Sequence, residues 1–279
     1  MNERVLVGYD GSVCGAAAVD WAAAEAARRG ASLTVLAVEN ELVLPAVPPV
    51  MPAVVEAMEA ASAQIAEEGA ERARKVAREL DVTALGRIAT SVPGALVEAS
   101  REAGLLVVGT RGHGEIIGML LGSVAFAVTA HAACPVVVVR GDADAGPGPQ
   151  HPVVVGVDGS AAAWAAVRWG ADEAATASAP LVLVAAFPGE AGTVAREQAL
   201  DAVGEAARLV ARRHADLEVR TRVEDAAPVP ALLAAAEGAG LLTVGARAEG
   251  GFAGLRIGSV THAAVHAAPC PVAVIHAAG

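Results

Sequence analysis

The strongest constraint on the fold of this chain is an internal duplication. The segment VLVGYDGS (5–12) returns as VVVGVDGS (153–160), with six of eight residues identical, and AGLLVVG (103–109) returns as AGLLTVG (239–245). Two further pairs follow in the same order: LLGSV (120–124) with RIGSV (256–260), and CPVVVV (134–139) with CPVAVI (270–275). Two long copies indicate a domain duplication, not a solenoid. We predict one domain at 1–140, a Gly- and Pro-rich linker at 141–152 and a second domain at 153–279.

Within each half, short apolar runs alternate with longer helical patterns. In the first half, strands are predicted at 4–9, 32–38, 82–88, 105–109 and 136–139, and helices at 12–29, 53–80, 93–103 and from Ser123. Ser12 is a candidate N-cap of the first helix, and Gly30 a candidate stop. Strands that are apolar on both faces and alternate with helices indicate a parallel sheet covered on both sides. Each half is therefore predicted to be an open α/β fold of five parallel strands with helices on both faces.

Composition excludes several classes of function. The chain has 279 residues, which suffices for two domains, and its net charge of −11 without a basic stripe argues against nucleic acid as a partner. No apolar run approaches the ~18–20 residues that a membrane span needs, so no membrane association is expected. The first residues enter a strand without a leader pattern, and the three cysteines have no metal-binding spacing. We expect a cytoplasmic protein without a protein-bound metal.

A glycine-rich stretch, GTRGHGEIIGMLLGS (109–123), directly follows an apolar strand. Ligands of open α/β sheets bind at the carboxyl ends of strands, so this stretch is a candidate site. Gly109 would let the backbone approach a ligand, and Gly112 could adopt a positive φ that turns N–H groups towards an anion. Gly122 and Ser123 would open a helix whose N-terminus favours phosphate. No lysine precedes the serine, so this is not a Walker loop.

Three further side chains are candidates in the first half. Asp10 follows the first strand, where it could accept hydrogen bonds from an adenine amine or a ribose hydroxyl. Arg111 and His113 could contact phosphates, or they are ordinary solvated loop residues. Both interpretations stay open from the sequence.

The spacing G-x2-G-x9-G-S, with Asp10 after the first strand and the closing strand ACPVVVV (133–139), resembles the universal stress protein family in its tandem, ATP-binding form. The resemblance implies the strand order 3-2-1-4-5 in each half, which places strands one and four side by side. It also implies that Asp10 and the backbone near Val38 hold adenine and ribose, while the glycine loop and Ser123 hold the phosphates of ATP, with or without Mg²⁺. The implied function is nucleotide-dependent regulation in stress or dormancy.

The second half departs from this motif. It keeps the equivalents Asp158, Gly245, Arg247, Gly258 and Ser259. Ala248 replaces the second glycine, and Glu249 stands where the first half has His113. We therefore expect weaker ATP binding in the second half.

Other functions remain possible at this stage. No carboxylate or histidine is recognisable as a general base, so we expect no catalytic residues, but a slow ATPase, a relative of ATP-dependent ligases and a scaffold that has lost its nucleotide are alternatives. The resemblance also implies that the halves pair through their closing strands as an intramolecular pseudo-dimer. A homodimer and an unidentified protein partner are left open. Structural roles are expected for Trp21, Trp169, His131, His262, His266, Cys134 and Cys270.

Overall fold

The computed structural model describes residues 4–41, 52–110, 121–140, 146–246 and 257–277. The chain divides into two compact units, residues 1–139 and 140–279. Within the described residues, no helix has both the length and the apolar character that crossing a membrane requires.

The first unit contains five strands and four helices. The strands are β1 (Arg4–Gly8), β2 (Ser32–Asn40), β3 (Val82–Ala89), β4 (Leu105–Gly109) and β5 (Val136–Val139). The helices are α1 (Val13–Arg29), α2 (Pro52–Val76), α3 (Val92–Ala99) and α4 (Ser123–His131). All strand pairs are parallel and the order is β3-β2-β1-β4-β5. The predicted order and fold class are confirmed.

The second unit repeats this plan. Its strands are β6 (Val153–Gly156), β7 (Leu181–Phe187), β8 (Val219–Asp225), β9 (Leu241–Gly245) and β10 (Val272–Ile275). Its helices are α5 (Ala161–Thr176), α6 (Gly192–Arg213), α7 (Pro228–Ala235) and α8 (Ser259–Ala267). The parallel order is β8-β7-β6-β9-β10.

The core of each unit is aliphatic, because the central strands are buried on both faces. β4 and β9 are continuous runs in which Leu105, Leu106, Leu241 and Leu242 are fully buried. In the first unit α1 packs beside α2, and α3 packs beside α4. The space that a side chain on Gly8 would need is filled by Leu96 of α3, 3.2 Å away. Trp21 is buried, as predicted for helix-to-sheet packing.

The ends of α1 lie where the sequence predicts them. Ser12 is the N-cap and its hydroxyl accepts a hydrogen bond from the Gly15 N–H at 3.0 Å. Gly30 adopts the left-handed conformation, with φ of 63°, and its N–H bonds back to the last turn. A glycine is favoured at this position because it has no Cβ to clash.

Two predicted helices are too long, and in both cases a contact with a distant segment explains the difference. α2 ends at Val76 instead of residue 80, because the chain must turn before the Asp81 carbonyl accepts the Leu33 N–H at 2.9 Å. α3 ends at Ala99, and a tighter 3₁₀ turn spans Ser100–Glu102. The buried Ser100 hydroxyl accepts the Ala133 N–H at 2.9 Å.

The end of the predicted linker packs on the second unit. The N–H of Gly148 donates to the His151 carbonyl and the N–H of His151 donates back, and the Gly240 N–H donates to the Pro152 carbonyl. A side chain on Gly240 would lie 2.6 Å from the Pro147 backbone. Residues 146–152 are thus held against the start of β9, while 141–145 lie outside the described residues.

The contact between α2 and the edge strand β3 gives a stability prediction. An ideal Cβ on Gly86 would lie against the Ala63 nitrogen and 2.6 Å from the Ser62 carbonyl carbon, which are backbone atoms and cannot rotate away. We expect Gly86→Ala to destabilise the protein by roughly 1–3 kcal/mol in urea unfolding. Gly204→Ala is the matched control, because its Cβ would meet nothing closer than Arg208 Nη1 at 3.8 Å within α6. That change should stabilise by about 0.5–1 kcal/mol, and equal effects of the two substitutions would contradict the packing argument.

Candidate functional site

The second unit has a cavity of about 190 Å³ at the carboxyl ends of its central strands. It lies where β6 and β9 run side by side and their connections leave in opposite directions, the switch point at which open α/β sheets bind ligands. The strand ends contribute Asp158, Ala186 and Gly245, and the start of α8 contributes Gly258 and Ser259.

The walls of this cavity are mainly aliphatic. Val157, Val184 and Val244 line it from the sheet, and Pro228 and Leu232 line it from α7. An engineered cavity of about 150 Å³ binds benzene, whereas pockets for whole drug-sized ligands span about 300–1,000 Å³. A cavity of about 190 Å³ therefore suits one planar ring system, with the rest of a larger ligand extending beyond it.

The aspartates that follow the first strand of each unit have the same geometry. Asp10 Oδ1 accepts the Ser12 N–H at 3.0 Å, and Asp158 Oδ1 accepts the Ser160 N–H at 2.9 Å. Both carboxylates are exposed. The glycine between each aspartate and serine has a positive φ, 81° at Gly11 and 79° at Gly159. The Asp-Gly-Ser turn thus presents one carboxylate at the rim of the crevice while its serine caps the next helix.

Gly109 and Gly245, the first glycines of the predicted motif, make room for a neighbouring helix and not for a ligand. Gly109 was expected to make room for a ligand, but the space beside it is filled by the protein itself. An ideal Cβ on Gly109 would lie 2.6 Å from the Cys14 carbonyl oxygen, and one on Gly245 would lie 2.7 Å from the Ala162 carbonyl carbon. These glycines let the first turn of α1 or α5 approach the end of the neighbouring strand.

Gly122 and Gly258 are the N-caps of α4 and α8, as the sequence predicts. Their own N–H groups are already used, since Gly122 donates to Thr110 O at 2.7 Å and Gly258 donates to Ala246 O at 2.8 Å. Within the described chain, neither helix has a side-chain cap. The N–H groups that can face an anion therefore begin at Ser123 and Ser259, one residue later than the glycines.

The backbone of Val38 points beyond the end of β1. Tyr9 N–H donates to the Leu36 carbonyl at 3.0 Å, so the backbone of Leu36 faces β1. Backbone groups of a strand face the same side at every second residue, so those of Val38 face the same way, past the last residue of β1. In the second unit Val157 N–H donates to Val184 O at 2.8 Å, and Ala186, the equivalent of Val38, lines the cavity.

Several residues of the predicted site fall in segments that the structure does not describe. Arg111, Gly112, His113 and Arg247 lie outside the described residues, as do Ala248 and Glu249. Sequence reasoning also missed the wall formed by Pro228 and Leu232. In the sequence, the one feature that marks these two residues is their position in the helix after the third strand. An apolar residue there has the same pattern whether it lines a cavity or packs in the core.

The remaining candidates have structural positions. Cys134 and Cys270 are buried as predicted, and burial raises the pKa of each thiol to about 12. His131 and His262 are exposed, and His266 is half-buried with its ring centroid 5.4 Å from that of His262. Among the described residues, no group of three His, Cys, Asp or Glu side chains is arranged to hold a metal ion.

Comparison with known proteins identifies the family. The sequence model described as "Universal stress protein family" matches residues 1–140 and 150–276. The chain belongs to the universal stress protein family. A universal stress protein of Mycobacterium tuberculosis is 34% identical over 283 residues, which cover 97% of this chain and 96% of the relative. The resemblance stated from the sequence is confirmed.

Solved structures share the fold. The crystal structure of a universal stress protein from Archaeoglobus fulgidus covers 100% of both chains with a TM-score of 0.76 at 18% identity. A further universal stress protein from the same organism was solved in complex with dAMP. It covers 46% of this chain and 98% of its own length, with 23% identity and a TM-score of 0.39.

Proposed function

We propose that this universal stress protein is an ATP-binding regulatory module that acts in stress or dormancy. The observation that carries the proposal is the cavity at the switch point of the second unit, bounded by an exposed aspartate and by the start of α8. An aliphatic cavity the size of one ring system next to a helix N-terminus combines the two requirements of a nucleotide, an apolar place for the base and N–H donors for phosphate.

The residues divide between base, ribose and phosphates as follows. The base enters the cavity, against Val157, Ala186 and Leu232. Asp158 accepts a hydrogen bond from a ribose hydroxyl or the adenine amine, since an ionised carboxylate only accepts. The phosphates extend towards Ser259, whose N–H and hydroxyl lie at the positive end of α8.

The first unit would bind ATP through the equivalent groups. Asp10 and the Val38 backbone are the counterparts of Asp158 and Ala186, and Ser123 is the counterpart of Ser259. The glycine loop, including Arg111, Gly112 and His113, would add phosphate contacts. Mg²⁺ would arrive bound to the phosphates, as it commonly does, keeping several of its water ligands.

Regulation follows from linkage between binding and conformation. ATP that binds the folded protein stabilises the bound form by an amount that grows with its concentration above the Kd. A partner that distinguishes the bound from the free form then responds to ATP. No turnover is needed for this, and none of the proposed contacts requires a general base.

Loop variants test the phosphate contacts in the full-length chain. Gly122 has φ −72° and ψ 152°, a conformation open to any residue, so Gly122→Val should fold normally. Its branched side chain would obstruct the approach of phosphate to the start of α4, and we expect first-half ATP affinity to fall at least tenfold in calorimetric titration. Gly258→Val is the matched change for α8. Unchanged ATP binding by both folded variants would contradict a phosphate site at these helices.

The two halves should differ in affinity. Ala248 replaces a glycine, and the left-handed conformation expected there costs a non-glycine residue about 1–2 kcal/mol. Glu249 adds repulsion of roughly 1 kcal/mol if it comes within ~4 Å of a phosphate in water. We predict that the first half binds ATP about ten- to a hundredfold more tightly.

The full-length chain allows each half to be measured separately. Asp158→Ala should leave the tighter site dominant, and Asp10→Ala combined with Gly122→Val should leave the weaker one. Equal affinities in the two variants would show that the loop difference does not reach the phosphates.

Turnover separates the regulatory proposal from an enzyme. We expect ATP hydrolysis well below the median enzyme rate of ~10 s⁻¹, because no general base is recognisable in the sequence. Incubation with ATP, followed by measurement of both retained nucleotide and released phosphate, distinguishes three outcomes. Retained nucleotide without released phosphate supports a regulatory module. Rapid phosphate release that His113→Ala abolishes indicates an ATPase. If the protein neither retains nucleotide nor releases phosphate, it is a scaffold without nucleotide.

A further inference from the structure

Gly15, in the first turn of α1, is in close contact with Asp10. An ideal Cβ on Gly15 would lie 2.8 Å from Asp10 Oδ1, a distance that real Cβ atoms do not tolerate. The same Cβ would lie 3.2 Å from the Ser12 hydroxyl oxygen. That oxygen accepts the Gly15 N–H at 3.0 Å, and Asp10 Oδ1 accepts the Ser12 N–H. Neither group can turn away without losing a hydrogen bond of the turn.

The Tyr9 ring restricts the same position from the other side. The Gly15 Cβ would lie 3.1 Å from Tyr9 Cδ2. The opposite edge of the ring meets α2, where a Cβ on Gly69 would lie 2.7 Å from Tyr9 Cδ1. The ring thus lies between two glycines on two helices. Asp10 follows it directly in the chain, so the ring also limits how far the backbone before Asp10 can move.

The second unit fills the equivalent space with a different set of side chains. Val157, Ala163 and Ala206 stand where the first unit has Tyr9, Gly15 and Gly69. Ala206 lies as many residues before β8 as Gly69 lies before β3, and both are buried. The side chain after the first strand is smaller in the second unit, and both glycines have become alanines. Ala163 lines the cavity, so the Gly15 position faces the crevice and not the core alone.

We propose that Gly15 is a positioning residue for the Asp10 carboxylate in the first-half nucleotide site. Its missing Cβ lets the carboxylate sit against α1, and the Tyr9 ring prevents the turn from moving away. This rests on the proposed function, because it assigns Asp10 a ligand contact. Gly15 belongs to none of the motifs that define the site, and its Cβ would displace the carboxylate without removing any ligand contact of its own.

The test is a double-mutant cycle in the full-length chain carrying Asp158→Ala, so that the first half alone reports ATP binding. We expect Gly15→Ala to weaken ATP binding about tenfold, the loss of one hydrogen bond to a charged group. Asp10→Ala should weaken it by at least as much. In the Asp10→Ala background, Gly15→Ala should cost nothing further, because the group that it displaces is gone.

A triple variant tests whether the Tyr9 ring is what prevents the turn from making room for an alanine at position 15. Tyr9→Val, Gly15→Ala and Gly69→Ala together reproduce the second-unit combination and should restore an unfolding midpoint near that of the parent, even if Gly15→Ala alone folds poorly. ATP binding should recover together with stability in this triple variant, because the second unit has the same three side chains and holds Asp158 Oδ1 by the same hydrogen bond, 2.9 Å from the Ser160 nitrogen, beside Ala163. Tyr9 is the single tyrosine, and burial followed by the Glu68 charge raises its pKa. A lowered phenol titration midpoint in Gly15→Ala would therefore report a displaced ring.

The measured ATP affinities distinguish a failure of the Gly15 proposal from a failure of the proposed ATP-binding function. If neither the wild-type chain nor the Asp158→Ala parent binds ATP, the proposed function fails and the inference with it. If the wild-type chain binds ATP but the parent does not, only the inference is wrong. If the parent binds ATP and Asp10→Ala weakens binding while Gly15→Ala does not, only the inference is wrong. Additive losses in the cycle would show that Gly15 serves packing alone. A triple variant that regains its unfolding midpoint but not its ATP affinity would show that the Tyr9 ring is not what makes alanine at position 15 displace Asp10.

Discussion

The site depends on a backbone contact between a helix and the end of a strand. In each unit the first turn of the first helix approaches the end of the fourth strand so closely that only glycine fits, at Gly109 and Gly245. The chain must therefore leave the first strand and enter the helix within a few residues. The Asp-Gly-Ser turn does this with a left-handed glycine and a serine cap. The aspartate is consequently held at the sheet edge where the fourth strand ends, and in the second unit Asp158 and Gly245 line the same cavity.

A second backbone contact fixes the other side of the crevice. The N–H groups of Gly122 and Gly258 donate to Thr110 and Ala246, the residues directly after the fourth strand of each unit. The two ends of each glycine loop are thereby held together by one hydrogen bond. This hydrogen bond holds the start of the last helix beside the end of the fourth strand, and it uses backbone atoms alone. The positive end of that helix is a property of the fold, whereas the phosphate contacts that we propose for the loop would depend on its sequence.

The sequence predicts features that local chemistry determines. Both ends of α1 follow from Ser12 and Gly30, whose effects depend only on the adjacent turn. The end of α2 could not be predicted in this way, because it is set by Asp81 pairing with Leu33 across the sheet. The role of Gly109 was missed for the same reason, since its contact with Cys14 joins segments far apart in sequence. The family resemblance supplied the strand order, which no local pattern contains.

The two copies show which parts of the site can change independently. Contacts that involve the backbone are the same in both units, as the Asp-Gly-Ser turns, Gly109 and Gly245 show. The side chains at three positions differ together, with Tyr9 and two glycines in one unit and Val157 and two alanines in the other. A change at one of these three positions creates a clash or a void, so they are expected to change as a group. The fold therefore keeps the position of each crevice while allowing its wall to vary. If both crevices bind ATP, such variation gives them different affinities, and a single chain would respond over a wider range of nucleotide concentration than two identical sites allow.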